Sequence, residues 1–194
     1  NDNKVLYDFF STGTYDRKRP FILTSSPSMD ILISSNLERL IYLSCGCDAE
    51  KTAELMGELS SDGKYTVTED MRKFMSDFWG GYAGEEENAA VIRSVFQSCG
   101  YLMDTHTGVA AAVSRQYKEK TGDERKMLIA STASPFKFAG SVLKAVNGTG
   151  EGMDEFAVVD ELSRVSGVPV PAAVEEIRTA PVRHTRECGP ENME

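Results

Sequence analysis

The chain has 194 residues, the length of one ordinary domain, and 41% of them are hydrophobic, which is enough to build a core. Twenty-one basic against thirty acidic side chains give a formal net charge of −9, and no block of Lys or Arg could neutralise a row of phosphates, so we expect no nucleic-acid function. No apolar run approaches the roughly 20 residues that a membrane-spanning helix needs, so we expect a soluble protein with no membrane partner. The cysteine usage indicates a cytoplasmic location.

Four cysteines bear on redox state and metal binding. Cys45 and Cys47 are separated by one residue, which is too short for an easy mutual disulfide and lacks the two-residue gap of a typical zinc knuckle. Cys99 and Cys188 lie far from them in the sequence, and His184 has no second ligand at a suitable spacing. We therefore expect reduced thiols and no metal site.

The N-terminal half is predicted to be rich in helices. Residues 5–10 form an apolar stretch typical of a short helix, residues 11–16 are rich in turn formers, and residues 21–23 are a strand candidate. In residues 34–42, apolar side chains recur at helical spacing after a Ser-Ser-Asn cluster that can cap the helix. The same periodicity predicts helices over residues 49–59, 68–78, 85–99 and 105–120, the last capped by Asp104 and ended by Gly122.

A stripe of large apolar side chains marks the helix predicted over residues 68–78. Met71, Phe74, Met75 and Phe78 recur at the spacing of one helix face. This pattern is typical of a helix that packs onto a core, so we expect all four side chains to be buried and none to contact a cofactor.

The C-terminal half combines one strand candidate with further helices. Residues 126–132 have the pattern of a short buried strand, and Pro135 opens a helix after it. A strand that runs directly into a helix forms a βα unit, and open α/β sheets bind ligands at the carboxyl ends of such strands. Helices are also predicted over residues 156–165 and 172–177. So few strands cannot form a free-standing doubly wound sheet beside so many helices, and we expect the missing strands in chain that this sequence does not include.

Four motifs occur in the same order as in a known enzyme family. Residues 26–40 read SPSMDILISSNLERL, residues 104–110 read DTHTGVA, residues 131–138 read STASPFKF and residues 181–185 read PVRHT. They resemble the PSMDI…SSNFERL, DPHTAVA, STASPAKF and PVRHT motifs of the threonine synthases, which are pyridoxal-phosphate enzymes. The departures are mild and remove no reactive group: Leu37 for Phe, Thr105 for Pro, Gly108 for Ala and Phe136 for Ala.

The resemblance implies a fold. The chain is expected to be the helix-rich C-terminal portion of an α/β, fold-type-II pyridoxal-phosphate enzyme, tryptophan synthase β-like, with few strands of its own. It is expected to divide into a connection and signature helix (1–44), a helical region (45–122), a βα unit with helices of the cofactor domain (123–180) and a polar tail (181–194). The Lys that forms the Schiff base and the Gly-rich phosphate loop are expected outside this chain, which opens on Asn rather than Met. Alone, the fragment is expected to be inactive.

The resemblance also implies an activity and a cofactor. The intact enzyme is expected to convert O-phosphohomoserine and water into threonine and phosphate by β,γ-elimination and β-hydration, with pyridoxal phosphate as cofactor. Thr132 matches the family position whose hydroxyl faces the pyridine nitrogen, and Ser131 lies beside it at the cofactor. A neutral partner of this kind leaves the ring nitrogen largely unprotonated. The alternative is that Thr132 is an ordinary strand residue.

Asn36 and Arg39 are the main candidates for binding the substrate phosphate. They lie three residues apart on one helix face, so a helix N-terminus, an amide and a guanidinium could converge on one anion. A capped surface helix whose Arg pairs with Glu38 or solvent explains the spacing equally well. His106 and Lys137 are weaker candidates for the same phosphate, since a lone His is often a buried hydrogen-bonding residue and a Lys in a first helical turn usually faces water.

Two other functions stay open. A related pyridoxal-phosphate lyase would eliminate phosphate from the same substrate without making threonine, and product analysis separates the two. A helical binding module that kept the sequence and lost the chemistry belongs to a different class, and a Lys-bearing cofactor domain encoded upstream in frame would eliminate it. Apolar surface exposed where missing strands should pack would favour homo-oligomers.

Overall fold

A computed structural model describes residues 1–193, most of which lie in helices or their connections. These residues form nine α-helices: α1 (Val5–Thr12), α2 (Leu37–Ser44), α3 (Ala49–Ser61), α4 (Glu69–Phe74), α5 (Glu85–Cys99), α6 (Thr105–Thr121), α7 (Ala139–Asn147), α8 (Glu155–Ser166) and α9 (Ala172–Thr179). Two short strands, β1 (Thr14–Asp16) and β2 (Lys64–Thr66), pair antiparallel. The predicted fold, rich in helices and poor in strands, is confirmed. No helix in residues 1–193 is long and apolar enough to cross a membrane.

Helix α6 shows how local sequence sets the bounds of an element. Asp104 has extended backbone, and its side chain accepts hydrogen bonds from the backbone N–H groups of His106 and Thr107. At the other end, Gly122 adopts a left-handed conformation with φ 71°, which a side chain would strain. Both predicted ends of this helix are therefore confirmed.

Helix α4 is shorter than predicted, and this changes which side chains are buried. The helix ends at Phe74, so the side chains expected on one face no longer follow a single helical stripe. Met71 and Met75 are buried, as expected, but Phe74 and Phe78 are about half exposed. The prediction that all four belong to the core is wrong for the two phenylalanines.

Both strand candidates are wrong. Residues 21–23 and 126–132 form no strand, and the observed strands are β1 and β2, of which β1 lies in the stretch predicted to be turn. A strand needs a hydrogen-bonded neighbour, and within residues 1–193 neither candidate has one. Their apolar side chains are correspondingly open, with Leu128 96% exposed. The helical half of the predicted βα unit is confirmed, as a 3-10 turn from Pro135 followed by α7.

Two hydrophobic clusters organise the molecule. The N-terminal cluster joins α1 to α4 and the two strands through these buried side chains: Val5, Phe9, Tyr15, Leu37, Ile41, Leu55, Leu59, Tyr65, Val67, Met71 and Met75. The C-terminal cluster joins α5 to α8, and its central side chains include Ile92, Val109, Ala112, Val142, Leu143 and Leu162. The division of the chain at residues 44, 122 and 180 stays a prediction.

The segment before α2 joins the two clusters. The Asp30 carboxylate accepts hydrogen bonds from Asn1 Nδ2 at 2.6 Å, Thr24 Oγ1 at 2.7 Å and Asn3 Nδ2 at 3.0 Å. Its neighbour Met29 packs against the C-terminal cluster. Residues 26–30 are thereby held between the two clusters, and the backbone N–H of Ser28 donates to His106 in the first turn of α6.

Candidate functional site

The Asp104 carboxylate is the centre of the polar network at the start of α6. Its side chain is completely buried. Oδ1 accepts the backbone N–H of His106 at 2.9 Å and lies 3.0 Å from His106 Nδ1. Oδ2 accepts the hydroxyl of Thr107. Each carboxylate oxygen therefore serves a different neighbour, and a buried charge gains the partners it requires.

His106 connects this carboxylate to the 3-10 turn at residues 27–29. The backbone N–H of Ser28 donates to His106 Nε2 at 3.0 Å. Because a backbone N–H can only donate, Nε2 carries no proton, and the ring proton lies on Nδ1, facing Asp104. The ring also packs 4.6 Å from the Phe138 ring centroid. Both ring nitrogens are thus satisfied inside the protein, and contact with a substrate phosphate stays a prediction.

A chain of hydroxyls connects the same carboxylate to Ser131. Thr107 Oγ1 lies 3.0 Å from Ser131 Oγ, and the Tyr101 hydroxyl lies 3.3 Å from Ser131 Oγ. Thr107 has one hydroxyl proton, and Asp104 takes it because a carboxylate can only accept. Ser131 Oγ accepts the Tyr101 hydroxyl and lies within hydrogen-bond distance of Thr107 Oγ1. The three hydroxyls therefore connect the surface at Tyr101 to the buried carboxylate.

Thr132 follows Ser131 directly and lies on an open face of the molecule. The residue is exposed, and its hydroxyl has no hydrogen-bond partner within residues 1–193. Lys137 is also exposed, with its ammonium 5.4 Å from the Phe138 ring centroid. Thr132 is therefore free to meet a ligand, whereas Lys137 lies over an aromatic ring with its charge in water.

Asn36 and Arg39 lie apart from Thr132, on α2. Asn36 precedes the first turn, where its Oδ1 accepts the Ser34 hydroxyl at 2.7 Å. Arg39 is exposed and has no ion pair in the described part of the chain. Asn36 and Arg39 line one shallow hollow on α2, which does not include Thr132. The structure thus brings Ser131, Thr132 and His106 into one region and leaves the two phosphate candidates in another.

One face of α6 extends between these regions. A groove of about 540 Å³ between the two clusters is lined by Asn36, Ser28 and Trp79, with Ala110 and Val113 of α6 also in its wall. Ala110 and Val113 also line a second groove of about 580 Å³, under residues 126–130. The two grooves share this helical face, which leads from the α2 hollow toward the segment that carries Thr132.

Sequence reasoning missed the residues that build the network. Asp104 was expected only to cap α6, and Thr107 and Tyr101 were given no role. Thr107 offered a signal for this network. It is a polar residue in one of the motifs, and it lies on the face of a predicted helix that packs against a core. Asp30, in the most extensive motif, organises the junction through its hydrogen bonds.

The described residues give no support to metal binding. Within residues 1–193, no group of three His, Cys, Asp or Glu side chains is close enough to hold an ion. All four cysteines are free, and three of them are exposed: Cys47, Cys99 and Cys188. The hydroxyl and imidazole network is therefore the main concentration of polar chemistry in the C-terminal cluster.

Comparison with solved structures defines the class of protein. The chain superposes on the PLP-bound threonine synthase of Brucella melitensis with a TM-score of 0.70 and 32% identity, over 86% of this chain and 38% of that one. It superposes on yeast threonine synthase with a TM-score of 0.75 and 28% identity, over 92% of this chain and 36% of that one. The fold is that of part of a threonine synthase.

Comparison of sequences gives the family. A model of the C-terminal part of threonine synthase matches residues 107–183. Human threonine synthase-like 1 is 38% identical over 148 residues, covering 75% of this chain and 20% of the relative. Threonine synthase of Saccharomyces cerevisiae is 33% identical over 183 residues, covering 86% of this chain and 35% of the relative. The chain belongs to the threonine synthase family, and it spans between a fifth and about a third of the length of these relatives.

Proposed function

We propose that the protein containing this chain converts O-phosphohomoserine and water into threonine and phosphate, with pyridoxal phosphate as cofactor. Family membership supports the reaction class, and the free hydroxyl of Thr132 on an open face is the observation that carries the proposal for this chain. A cytoplasmic location and any homo-oligomer stay predictions.

The donor set suits the cofactor. When bound, pyridoxal phosphate supplies an electron sink for carbanion chemistry at the substrate. The Thr132 hydroxyl is a neutral donor, so it can bind the pyridine nitrogen without protonating it. Ser131 differs from Thr132, because its oxygen already contacts the hydroxyls of Tyr101 and Thr107. The two adjacent hydroxyls thus have different tasks, one facing the cofactor and one holding the segment.

The α2 residues supply what a leaving phosphate needs. Beyond the Ser34 contact, Asn36 has an amide N–H₂ with no partner in the described chain, and Arg39 offers a fixed fork of donors. Both lie at the first turn of a helix, where backbone N–H groups and the helix dipole favour an anion. We assign Asn36 and Arg39 to the substrate phosphate. Lys137 and His106 stay weaker candidates for the same role.

The test uses the full-length protein. Threonine and phosphate are measured with O-phosphohomoserine as substrate, and the cofactor absorbance is recorded with and without it. We expect equal amounts of both products and an active Thr132→Ser variant. We expect Thr132→Asp to shift the cofactor spectrum and lose turnover, because a negative carboxylate would favour the protonated form of the ring nitrogen. Undiminished turnover of Thr132→Asp with an unchanged spectrum would contradict the assignment.

A second function is favoured by one observation. Threonine synthase-like 1 from human and macaque is more similar to this chain, at 38% identity, than the threonine synthase of Saccharomyces cerevisiae, at 33%. The alternative activity is that of a related pyridoxal-phosphate lyase, which eliminates phosphate without hydration to threonine. In the same assay, phosphate released without an equivalent of threonine would select this phospholyase, and release of neither product with no cofactor bound would select the binding module.

A further inference from the structure

The Asp104 carboxylate is connected, through His106 and Thr107, to both segments from which the proposed site is assembled. Through Oδ1 it faces His106, whose other nitrogen accepts the Ser28 N–H of the 27–29 turn. Through Oδ2 it accepts the hydroxyl of Thr107, which in turn lies 3.0 Å from Ser131 Oγ. The 27–29 turn and the segment that carries Ser131 are distant in sequence. Each is therefore connected, through one intermediate side chain, to a different oxygen of the same buried carboxylate.

Capping of α6 does not require this arrangement. Asp154 caps α8 in the same way, accepting the backbone N–H groups of Phe156 and Ala157 at 3.0 and 3.4 Å. Yet Asp154 is exposed and has no side-chain partner in the described residues, whereas Asp104 is fully buried and has two. The cost of burying a charge is not explained by a cap that an exposed Asp provides equally well.

We propose that Asp104 is a positioning residue that fixes the 27–29 turn and the segment of residues 131 and 132, which carries Thr132, relative to each other. The proposal rests on the proposed function, since Thr132 is the cofactor contact and the turn leads directly into α2 and its phosphate candidates. Asp104 thus has a role beyond capping, which it exerts through two arms. The His106 arm connects Asp104 to Ser28, and the Thr107 arm connects it to Ser131.

Only a carboxylate can hold both arms at once. Both of its oxygens accept, so it orients the Nδ1 proton of His106 and the hydroxyl of Thr107 toward itself. This orientation leaves the unprotonated Nε2 facing the Ser28 N–H and holds Thr107 Oγ1 3.0 Å from Ser131 Oγ. A carboxamide at this position has one acceptor and one donor, so one of the two arms is left facing the wrong partner.

The experiment compares Asp104→Asn with Asp154→Asn in the full-length protein. Asn caps a helix as well as Asp does, so a purely capping role predicts the same small effect from both changes. We expect Asp154→Asn to match the parent protein. We expect Asp104→Asn to weaken binding of pyridoxal phosphate, titrated by absorbance, about tenfold, and to speed hydrogen exchange of the Ser28 amide about tenfold in cofactor-free protein.

The variant Thr107→Val tests the contact with Ser131 separately from the contact through His106. It also serves as the test if Asp104→Asn fails to fold. It removes one hydroxyl at nearly constant shape, so we expect weaker cofactor binding with the parent rate of exchange at Ser28. Asp104→Asn that behaves like Asp154→Asn, or Thr107→Val that binds the cofactor as the parent does, would overturn the proposal. If the parent protein binds the cofactor but makes neither product, the proposed reaction fails, and the binding and exchange measurements still decide the role of Asp104.

Discussion

The two hydrophobic clusters are built from different kinds of side chain. The N-terminal cluster is centred on aromatic rings, with Phe9 lying 5.9 Å from Tyr15 and 6.1 Å from Tyr65, and the two tyrosines stacked at 5.5 Å. The C-terminal cluster is aliphatic and rich in alanine, and it includes the closely packed helices α5 and α6. The first cluster depends on a few large side chains, and the second on helices that approach closely.

The candidate site follows this difference. The buried polar network belongs to the closely packed cluster, where small residues let the start of α6 approach its neighbours and fix side chains precisely. The phosphate candidates belong to the aromatic cluster, on the exposed side of α2. We infer that the C-terminal cluster provides a rigid frame for the cofactor and that the N-terminal cluster provides a supporting surface for substrate.

The largest effect is expected from removing an aromatic ring of the N-terminal cluster. Phe9 is 1% exposed and contacts both tyrosines, so Phe9→Ala should lower the free energy of unfolding by about 3–5 kcal/mol. Phe74→Ala is the control, because Phe74 is about half exposed and should cost about 0.5 kcal/mol. Denaturant unfolding measures both, and equal losses would show that the cluster does not depend on its central ring.

A smaller loss is expected from adding one methyl group to the C-terminal cluster. A Cβ at Gly108 would lie 2.2 Å from Asn88 Oδ1 and 2.8 Å from Ile92 Cγ1. Gly108→Ala should therefore cost about 1–3 kcal/mol by overpacking, although Ala favours helix. This position is also where the chain departs from the Ala of the family motif.

Asn88 and Gly108 give their own control. Asn88→Ala removes the clashing amide, so the double variant Gly108→Ala with Asn88→Ala should recover part of the loss in a double-mutant cycle. Gly140→Ala, on α7 with no atom within 4 Å of the added Cβ, should leave stability unchanged or raise it. Additive losses from Gly108→Ala and Asn88→Ala would show that the two residues do not limit the approach of α5 and α6.

A loss of about 2 kcal/mol is expected at the junction of the clusters, because hydrogen bonds to a charged group are among the stronger ones. Asp30→Ala removes the acceptor of Asn1, Asn3 and Thr24 together. Asp70→Ala, at a side chain 95% exposed, is the control. Calorimetry should show the Asp30 variant unfolding in a broader transition than the parent, because the clusters are no longer held together. A sharp parent-like transition at the parent temperature would contradict this.

Local signals were sufficient to predict helices α5 and α6, although not the end of α4. Residues 85–99 and 105–120 were predicted within one residue of α5 and α6, because periodicity and caps such as Asp104 and Gly122 lie within the element itself. The conformation of residues 126–132, which form no strand in the described chain, was not predictable in the same way. A strand needs a hydrogen-bonded neighbour, and the apolar pattern of this segment does not show whether the chain provides one.

The site was predictable only in part, for a related reason. Ser131, Thr132 and His106 were named from motifs, but the contacts that join Ser131 and His106 pass through Asp104, whose capping position already explains its residue type. A single sequence shows that Asp suits a helix start and does not show that its second oxygen has another partner. Side chains with two tasks are hidden in this way until the tertiary contacts are known.

The smallest expected effect concerns how the free energy of unfolding depends on pH through the tyrosines of the N-terminal cluster. Burial raises the pKa of both Tyr15 and Tyr65 above the ordinary value for tyrosine. In the unfolded chain a tyrosine ionises near a pKa of about 10, so the stabilisation from the neutral phenols is complete below that pH and is lost as the pH rises toward the folded-state pKa. Tyr65→Phe keeps the ring and removes the ionisable group, so its free energy of unfolding should fall less steeply above pH of about 10 than that of the parent. Denaturant unfolding across the alkaline range measures the slope, and a variant that loses stability as steeply as the parent would show that Tyr65 does not couple the aromatic cluster to pH.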